Sequence, residues 1–288
     1  MISGMISGMI LGLDFGLTNV DAVLVENGQI IQGWRQDTRG TASIEILEQI
    51  MLDHGIQLEH LTCIGTTGGR HKDLPSSYQG IPILKIGEAQ AVGHGGLQMA
   101  KLEQALVVSA GTGTSMIAAR GSSFGHVTGS AVGGGTLLGL AKLLLGTTNP
   151  LEIAVLAAKG NPAGVDSTLF DVLGGGIGHL PSDATAVNLG RVVSLEQPAS
   201  PEDMAAGLVT LVSQVISVIA LNAASAQKLE RIVIVGHLVD LEPVRRAIER
   251  VWGFYGVTLP AIIPESRGFA TAFGAALEAE IEDEKSRD

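Results

Sequence analysis

Residues 9–18 read MILGLDFGLT: an apolar run, Met9 to Leu13, breaks into Asp14-Phe15-Gly16-Leu17-Thr18. An apolar run bounded by a glycine turn reads as a buried strand. The pattern returns twice. Ala105 to Ser109 ends in Ala110-Gly111-Thr112-Gly113-Thr114-Ser115 and resumes as Met116 to Ala119, a hairpin; Arg231 to Val235 ends in Gly236-His237. Glycine lets the backbone approach a phosphate and turn N–H groups towards it. One such turn by itself is most simply a tight turn. Three of them, each closing a strand in a chain that alternates strands with helices, form a nucleotide-binding pattern. Gly133-Gly134-Gly135, ahead of a helix expected over Thr136 to Leu145, adds the partial positive charge of a helix N-terminus. Neither GxGxxG nor GxxxxGK[ST] occurs at these turns, which argues against NAD enzymes and P-loop enzymes.

The rest of the chain fits around these turns. Asp21 to Val25 and Gln29 to Trp34 flank Asn27-Gly28, a strong hairpin signal. Thr41 to His54 has helical spacing, with Thr41 or Ser43 as cap. Leu61 to Gly65 and Ile81 to Ile86 read as strands, and Glu88 to Met99 as a helix. Asn149 to Gly178 reads as short helices and glycine turns. Pro201 to Leu229 is a long helix, Glu242 to Trp252 a shorter one, Val257 to Ile262 a last strand and Arg267 to Glu282 a last helix. The order predicts an α/β protein of two related halves, 1–100 and 101–288, with a nucleotide cleft between them.

Composition narrows the function classes. The formal charge is −11, from 18 Lys plus Arg against 29 Asp plus Glu, so nucleic acid and anionic membrane surfaces are not expected partners. Only 3% of residues are aromatic while 39 are glycine, so the core must be aliphatic and the turns many. With a single cysteine, Cys63, no intramolecular disulfide can form. The opening MISGMISGMI has no basic n-region and reads as an extension ahead of the first strand. Leu208 to Ala226 is apolar but interrupted by Thr210, Ser213, Gln214, Ser217 and Asn222, and reads as a buried helix rather than a membrane span. The expectation is a soluble, cytoplasmic protein.

Two carboxylates stand out. Asp14 follows the first strand, beside a phosphate-type turn; it can hold Mg²⁺ directly or through water, or bond its own backbone in the turn. Glu88 opens a helix after an apolar strand. It can complement the helix dipole or act as a general base, and the sequence does not separate the two. His94, His179 and His237 lie near glycine turns without HxxxH or HExxH spacing, and a structural or solvent-facing role is expected for them. Ser109 and Ser115 lack the signature of a nucleophilic serine.

Asp14 to Thr18 resembles the Asp-x-Gly-Gly-Thr turn of the type II pantothenate kinases, which belong to the actin, sugar-kinase and Hsp70 superfamily. The similarity continues through Glu88-Ala89-Gln90-Ala91-Val92-Gly93, Gly111 to Ser115 and Thr128 to Thr136. It runs on through Asp183-Ala184-Thr185-Ala186-Val187-Asn188-Leu189-Gly190, Ile232 to Gly236 and Glu265 to Ala275. The Asp183 to Gly190 stretch is the most family-specific. The resemblance implies two ribonuclease H-like (actin-like ATPase) domains and ATP- and Mg²⁺-dependent phosphorylation of pantothenate, the first step towards coenzyme A. It implies Glu88 as base and Asp14 as the metal-organising residue. Asp14, Gly16, Thr18, Gly111, Thr112, Gly113, Thr114, Gly134, Gly135 and Gly236 would contact ATP. Glu88, Ser115, His126 and Ser130 would contact the substrate, and a homodimer would form through the helices of the second half.

Three positions depart from the family pattern. Leu17 replaces the second glycine of the first turn, Asp21 stands where a lysine is usual, and His126 takes the place of an arginine that holds the pantothenate carboxylate. A neutral imidazole cannot make the two-bond pairing of a guanidinium. Arg120 could reach in, His126 could be protonated, or the substrate could lack that carboxylate. Two other readings therefore stay open: a kinase of the same fold for another small alcohol, and an ATP-binding regulator without kinase activity.

Overall fold

A computed structural model describes residues 8–37, 42–178, 180–257 and 261–287. In chain order the strands and helices begin with β1 (Met9–Phe15), β2 (Asn19–Glu26), β3 (Gln29–Asp37), α1 (Ile44–His54), β4 (Leu61–Gly68), β5 (Ser77–Tyr78), β6 (Ile81–Lys85) and α2 (Glu88–Ala100). They continue with β7 (Gln104–Ala110), β8 (Thr114–Arg120), β9 (Ser123–Ser130), α3 (Gly134–Leu145), α4 (Pro150–Lys159), β10 (Ser167–Thr168), α5 (Leu169–Leu173) and β11 (Thr185–Val187). The last are α6 (Pro201–Ala226), β12 (Ile232–Val235), α7 (Glu242–Phe254) and α8 (Ala270–Arg287).

The chain packs as two compact units: Met1–Val107 with Ile117–His126 and Pro264–Asp288, and Val108–Met116 with Val127–Ile263. This differs from one cut near residue 100, because the last helix returns to the first unit. The cause is the sequence of α8. Its Ala272, Ala275 and Ala276 lie flat on Gly12 of β1 and Gly65 of β4, where any Cβ would overlap the carbonyl oxygens of Ala272 and Ala275.

The first unit is built on a six-stranded sheet in the order β3-β2-β1-β4-β6-β5. β1, β4 and β6 are parallel, and β2 and β3 form the expected hairpin. Asn27 (φ 51°) and Gly28 (φ 69°) both take the left-handed conformation that a tight hairpin turn requires. α1 covers one face, setting Leu47, Ile50 and Met51 against Leu11, Leu13 and Phe15. Burying Leu47 and Ile50, each 1% exposed, contributes about 1.5–3 kcal/mol apiece. The alanine-rich α8 and glycine-rich α2 take the other face. Strands covered on both faces explain why Met9 to Leu13 of β1 reads as a continuous apolar run rather than an alternating one.

In the second unit α6 packs against α3, α4 and α7. Ser200 caps it by accepting from the Asp203 N–H (3.1 Å), and Pro201 occupies the first turn. Among the described residues α6 is the one unbroken helix long and apolar enough to cross a bilayer, yet 56% of its apolar window is buried within the fold. This unit also holds β12 and the second glycine turn, which joins β7 to β8 in a four-stranded sheet of order β12-β7-β8-β9, the turn-side ends of β7 and β8 (Val108–Met116) belonging here.

Several boundaries moved. α1 begins at Ile44 behind Ser43, in extended backbone; Thr41 lies outside the described residues. α6 stops at Ala226, after which Lys228 turns left-handed (φ 53°). A 3-10 turn, Arg267–Phe269, precedes α8. Of the strand expected at Val257 to Ile262 the described residues show one bridge, Val233 to Ile262. β9 was not expected. SFGHVTGS has no run of large apolar side chains, and the strand forms as the sheet edge beyond the Gly121 turn (φ 53°).

Candidate functional site

In the first unit the C-terminal ends of β1, β4 and β6 lie side by side, the edge where open parallel sheets bind ligands. Asp14 and Gly16 close β1, Gly68 and Gly69 close β4, and Gly87 and Glu88 follow β6. The ends are tied by hydrogen bonds: Gly69 N–H donates to Phe15 O (2.7 Å) and Ile86 N–H to Thr66 O (2.8 Å). Asp14 is half-buried, and its position depends on Gly68. Gly68 holds φ 86°, and a Cβ there would come within 2.5 Å of Asp14 Oδ1. Gly16, Leu17 and Thr18 are exposed, with Leu17 72% open to solvent. Asp21 is the cross-strand neighbour of Asp14, and Arg35 lies 3.9 Å from its carboxylate.

Glu88 is the first residue of α2 and is exposed. The Gly87 N–H donates to the Gln90 side-chain oxygen (3.2 Å) and Ala91 N–H to Gly87 O (3.0 Å), so the helix start is fixed. α2 is fixed in turn by α8. A Cβ on Gly95 or Gly274 would overlap the carbonyl oxygen of Ala270 or Ala91. His94, on the same helix, bonds Glu278 of α8 at 2.7 Å, so its role is structural as expected. His179 lies outside the described residues.

The second unit gathers Gly111, Thr112, Gly113, Thr114, Gly134, Gly135 and Gly236 at one corner. The start of α3 is stitched to the β7–β8 turn: Gly134 N–H donates to Gly111 O (2.8 Å) and Gly135 N–H to Thr112 O (2.9 Å). Thr114 Oγ1 donates to Val132 O (2.9 Å), and Thr136 Oγ1 accepts from the Gly133 N–H (3.3 Å). Gly111 N–H closes the turn on Gly113 O (3.0 Å). The amides of Thr112 and Gly113, both exposed, make no such bond among the described residues. Gly236 holds φ 100° and sits flush against the end of β7, where a Cβ would overlap Ala110 O. The corner is a shallow main-chain surface at a helix N-terminus, suited to an anion.

The other sequence-derived residues are set apart by element. Ser115 is on β8, directly after Thr114; His126 and Ser130 are on β9. His126 is exposed, and Ser130 Oγ accepts from the Val132 N–H (3.0 Å) in the loop leading to α3, which leaves its O–H as a donor. Among the described residues no three His, Cys, Asp or Glu side chains group to hold a metal ion.

One buried group escaped the sequence reading. Asp166 is fully buried and anchors the Asp183 to Gly190 stretch, accepting from the Leu189 N–H (2.8 Å) and the Thr185 hydroxyl (3.0 Å). Burial pushes its carboxyl above the usual range, opposed by those hydrogen bonds. Asn188 then donates to Gln214 of α6 (3.0 Å), and Arg250 of α7 pairs with Asp183 (2.8 Å). A lone Asp between Val165 and Ser167 carries no periodic signal, and only its burial marks it.

Residues 98–278 match the family described as Fumble. The chain is similar to the type II pantothenate kinase of Bacillus cereus, 28% identical over 241 residues, spanning 82% of this chain and 86% of that protein. It is likewise similar to the type II pantothenate kinase of Oceanobacillus iheyensis, 28% identical over 218 residues, spanning 73% and 80%. Among solved structures it is similar to the activator of the 2-hydroxyisocaproyl-CoA dehydratase from Clostridium difficile with bound ADPNP (TM-score 0.68, 21% identity, 97% of each chain). A ROK family glucokinase from Streptomyces griseus in complex with glucose and AMPPNP is also similar (TM-score 0.62, 16% identity, 95% of this chain and 100% of that one). At such identities the structural likenesses speak for the fold alone, and that fold is the actin-like ATPase fold expected from the sequence.

Proposed function

The chain belongs to the Fumble family, and from that premise we propose that it transfers the γ-phosphoryl group of ATP to the primary hydroxyl of a small acceptor, pantothenate. The observation that carries the reading is the corner where α3 begins: Thr112 and Gly113 are exposed residues whose amides make no backbone hydrogen bond among the described residues, in a turn stitched to Gly134 and Gly135. Gly236 matters there because a side chain would collide with Ala110 at the end of β7.

In the first unit Glu88 takes the proton of the acceptor hydroxyl as the new P–O bond forms and the β,γ bond of ATP breaks. Its exposure at the first position of a rigid helix leaves it free to meet a substrate. Asp14 fits a magnesium site. It is a hard oxygen donor at the C-terminal end of β1, and magnesium takes few protein ligands and retains water. When bound, the ion neutralises phosphate charge. Asp21 adds a second carboxylate across from Asp14, and Gly16 and Thr18 give the turn its exposed backbone and hydroxyl. Ser115, Ser130 and His126 are assigned to the acceptor.

A cytoplasmic homodimer is part of the same reading. Leu143, Leu144, Leu151, Val155, Phe170 and Leu173 of α3, α4 and α5 are each 48–81% exposed, apolar side chains of the second unit that we assign to contact with a second copy. His126 favours a second reading, the same transfer to an alcohol without a carboxylate, because an imidazole gives a carboxylate weaker purchase than a guanidinium. A coupled ADP-release assay across alcohols with and without a carboxylate tests both. Turnover with pantothenate supports the first; turnover confined to uncharged alcohols replaces it with the second.

A further inference from the structure

We propose that Arg35, acting through Asn19, fixes the Thr18 hydroxyl as an oxygen ligand for the magnesium of the nucleotide rather than as a donor to its phosphates. Arg35 and Asn19 are positioning residues in this assignment, and Thr18 is the ligand. The inference deepens the phosphoryl-transfer reading above and rests on it, and all of its residues lie in the first unit.

Strand register gathers the side chains concerned on one face. Residues paired across a ladder point the same way, and so do alternate residues along a strand. Gly12 of β1 pairs with Val23 of β2, which pairs with Gly33 of β3. α8 and the turn before it close on that row, with Ala272 over Gly12 and the Phe269 ring 3.2 Å from the Cβ position of Gly33. Two residues further towards the end of β1, the same face carries Asp14, Asp21 and Arg35, and the next row brings Asn19 and Asp37 to the turn itself. Arg35 lies 3.9 Å from the Asp21 carboxylate, and its side chain is 43% exposed.

The neighbours of Asn19 decide which way its amide faces. A guanidinium only donates and a carboxylate only accepts. The amide oxygen therefore turns to Arg35 Nη2 (2.6 Å) and the amide nitrogen to Asp37 Oδ1 (2.7 Å). The Thr18 hydroxyl lies 2.8 Å from the same amide oxygen. It must donate its one proton there, which leaves it two lone pairs and no proton for a ligand. Thr18 is exposed, so those lone pairs are open to solvent. A phosphate oxygen finds no donor in such a hydroxyl, whereas magnesium takes hard oxygen atoms of this kind, and Asp14 supplies another on the same face. Arg35 makes the arrangement one-way. Without it the amide could turn over, Nδ2 would face Thr18, and the hydroxyl proton would be released outward.

Calorimetric titration of the full chain with ATP, in magnesium and in EDTA, reads the contribution of the metal as the ratio of the two affinities. Thr18→Val should reduce that ratio by about 10-fold or more, while ATP affinity in EDTA changes by less than about two-fold. Thr18→Ser, which keeps the hydroxyl, should stay near wild type. Arg35→Met, which keeps the stem and loses the donors, should reduce the ratio as well. Loss of a nearby positive charge by itself would raise it, since the cation is then repelled less, so the sign separates positioning from charge. Thr18→Val that weakens ATP equally in both conditions overturns the inference and leaves the parent reading standing, because the hydroxyl then serves the phosphates. An unchanged or raised ratio in Arg35→Met overturns it too. Wild type that binds ATP in neither condition removes the parent reading and this inference together.

Discussion

Gly236→Ala probes the corner that the nucleotide reading needs. Gly236 has φ 100° and ψ 162°, a conformation open essentially to glycine alone. Holding alanine there costs about 1–3 kcal/mol in backbone strain. The new Cβ would also overlap Ala110 O and stand 2.7 Å from Ala110 C, both backbone atoms of a central strand that cannot swing aside. Overpacking of this kind costs about 1–3 kcal/mol more, so the total is about 2–6 kcal/mol. At roughly 2–4 °C per kcal/mol for a chain of this size, thermal unfolding should drop by about 5–20 °C. Gly253→Ala is the internal control: it lies in α7 with nothing within 4 Å of its Cβ position, and alanine there should gain about 0.5–1 kcal/mol. Both variants are read by circular dichroism melts, with ATP affinity measured below the transition. If Gly236→Ala melts within about a degree of wild type and binds ATP equally, the contact between β12 and β7 is not what the reasoning takes it to be.

Glu88→Gln should lower kcat by about 10²- to 10⁴-fold while leaving ATP affinity and melting temperature near wild type, as the exposed side chain holds nothing in the fold. Asp166 gives a pH signature. Its carboxyl is raised in the folded state, first by burial, so the native chain binds that proton more tightly than the unfolded chain does. Wild-type stability relative to Asp166→Asn should therefore fall as pH rises from near 3.8 through the raised value, then level off. Urea titrations across that range check it, and a difference that grows with pH contradicts it. Asp171, whose carboxyl is lowered first by the Thr168 N–H and hydroxyl, should behave oppositely, losing its contribution as pH falls through its folded value. Cys63 is fully buried and burial pushes its thiol up to about 12, so iodoacetamide at pH near 8 should label it only after unfolding.

The parts of the fold that were legible in the sequence are those governed by local chemistry. Asn27-Gly28 dictates its hairpin because both residues accept positive φ. The apolar run Met9 to Leu13 marks a buried strand, and the glycines expected ahead of a helix at Thr136 lie at its start, which comes two residues earlier, at Gly134. What the sequence hid is non-local. That α8 rejoins the first unit follows from small residues meeting Gly12 and Gly65 from the far end of the chain, a match that no window reveals. Edge strand β9 forms by pairing rather than by an apolar pattern. Asp166 is invisible for the same reason: its importance lies in the Leu189 and Thr185 groups that reach it. Within the candidate site, the sequence pointed to each glycine turn separately, while the stitching of Thr112 to Gly135 is a long-range contact that no window of sequence reveals.

The most direct test follows the phosphorus. Wild type and Glu88→Gln, each with Mg-ATP and pantothenate, are monitored side by side by phosphorus NMR, with ATP binding measured on the same samples. The expected result is a new phosphomonoester resonance growing as ATP is converted to ADP in the wild type, and bound ATP with no such resonance in Glu88→Gln. Equal product from both proteins, or no phosphomonoester from a wild type that binds ATP, would contradict it.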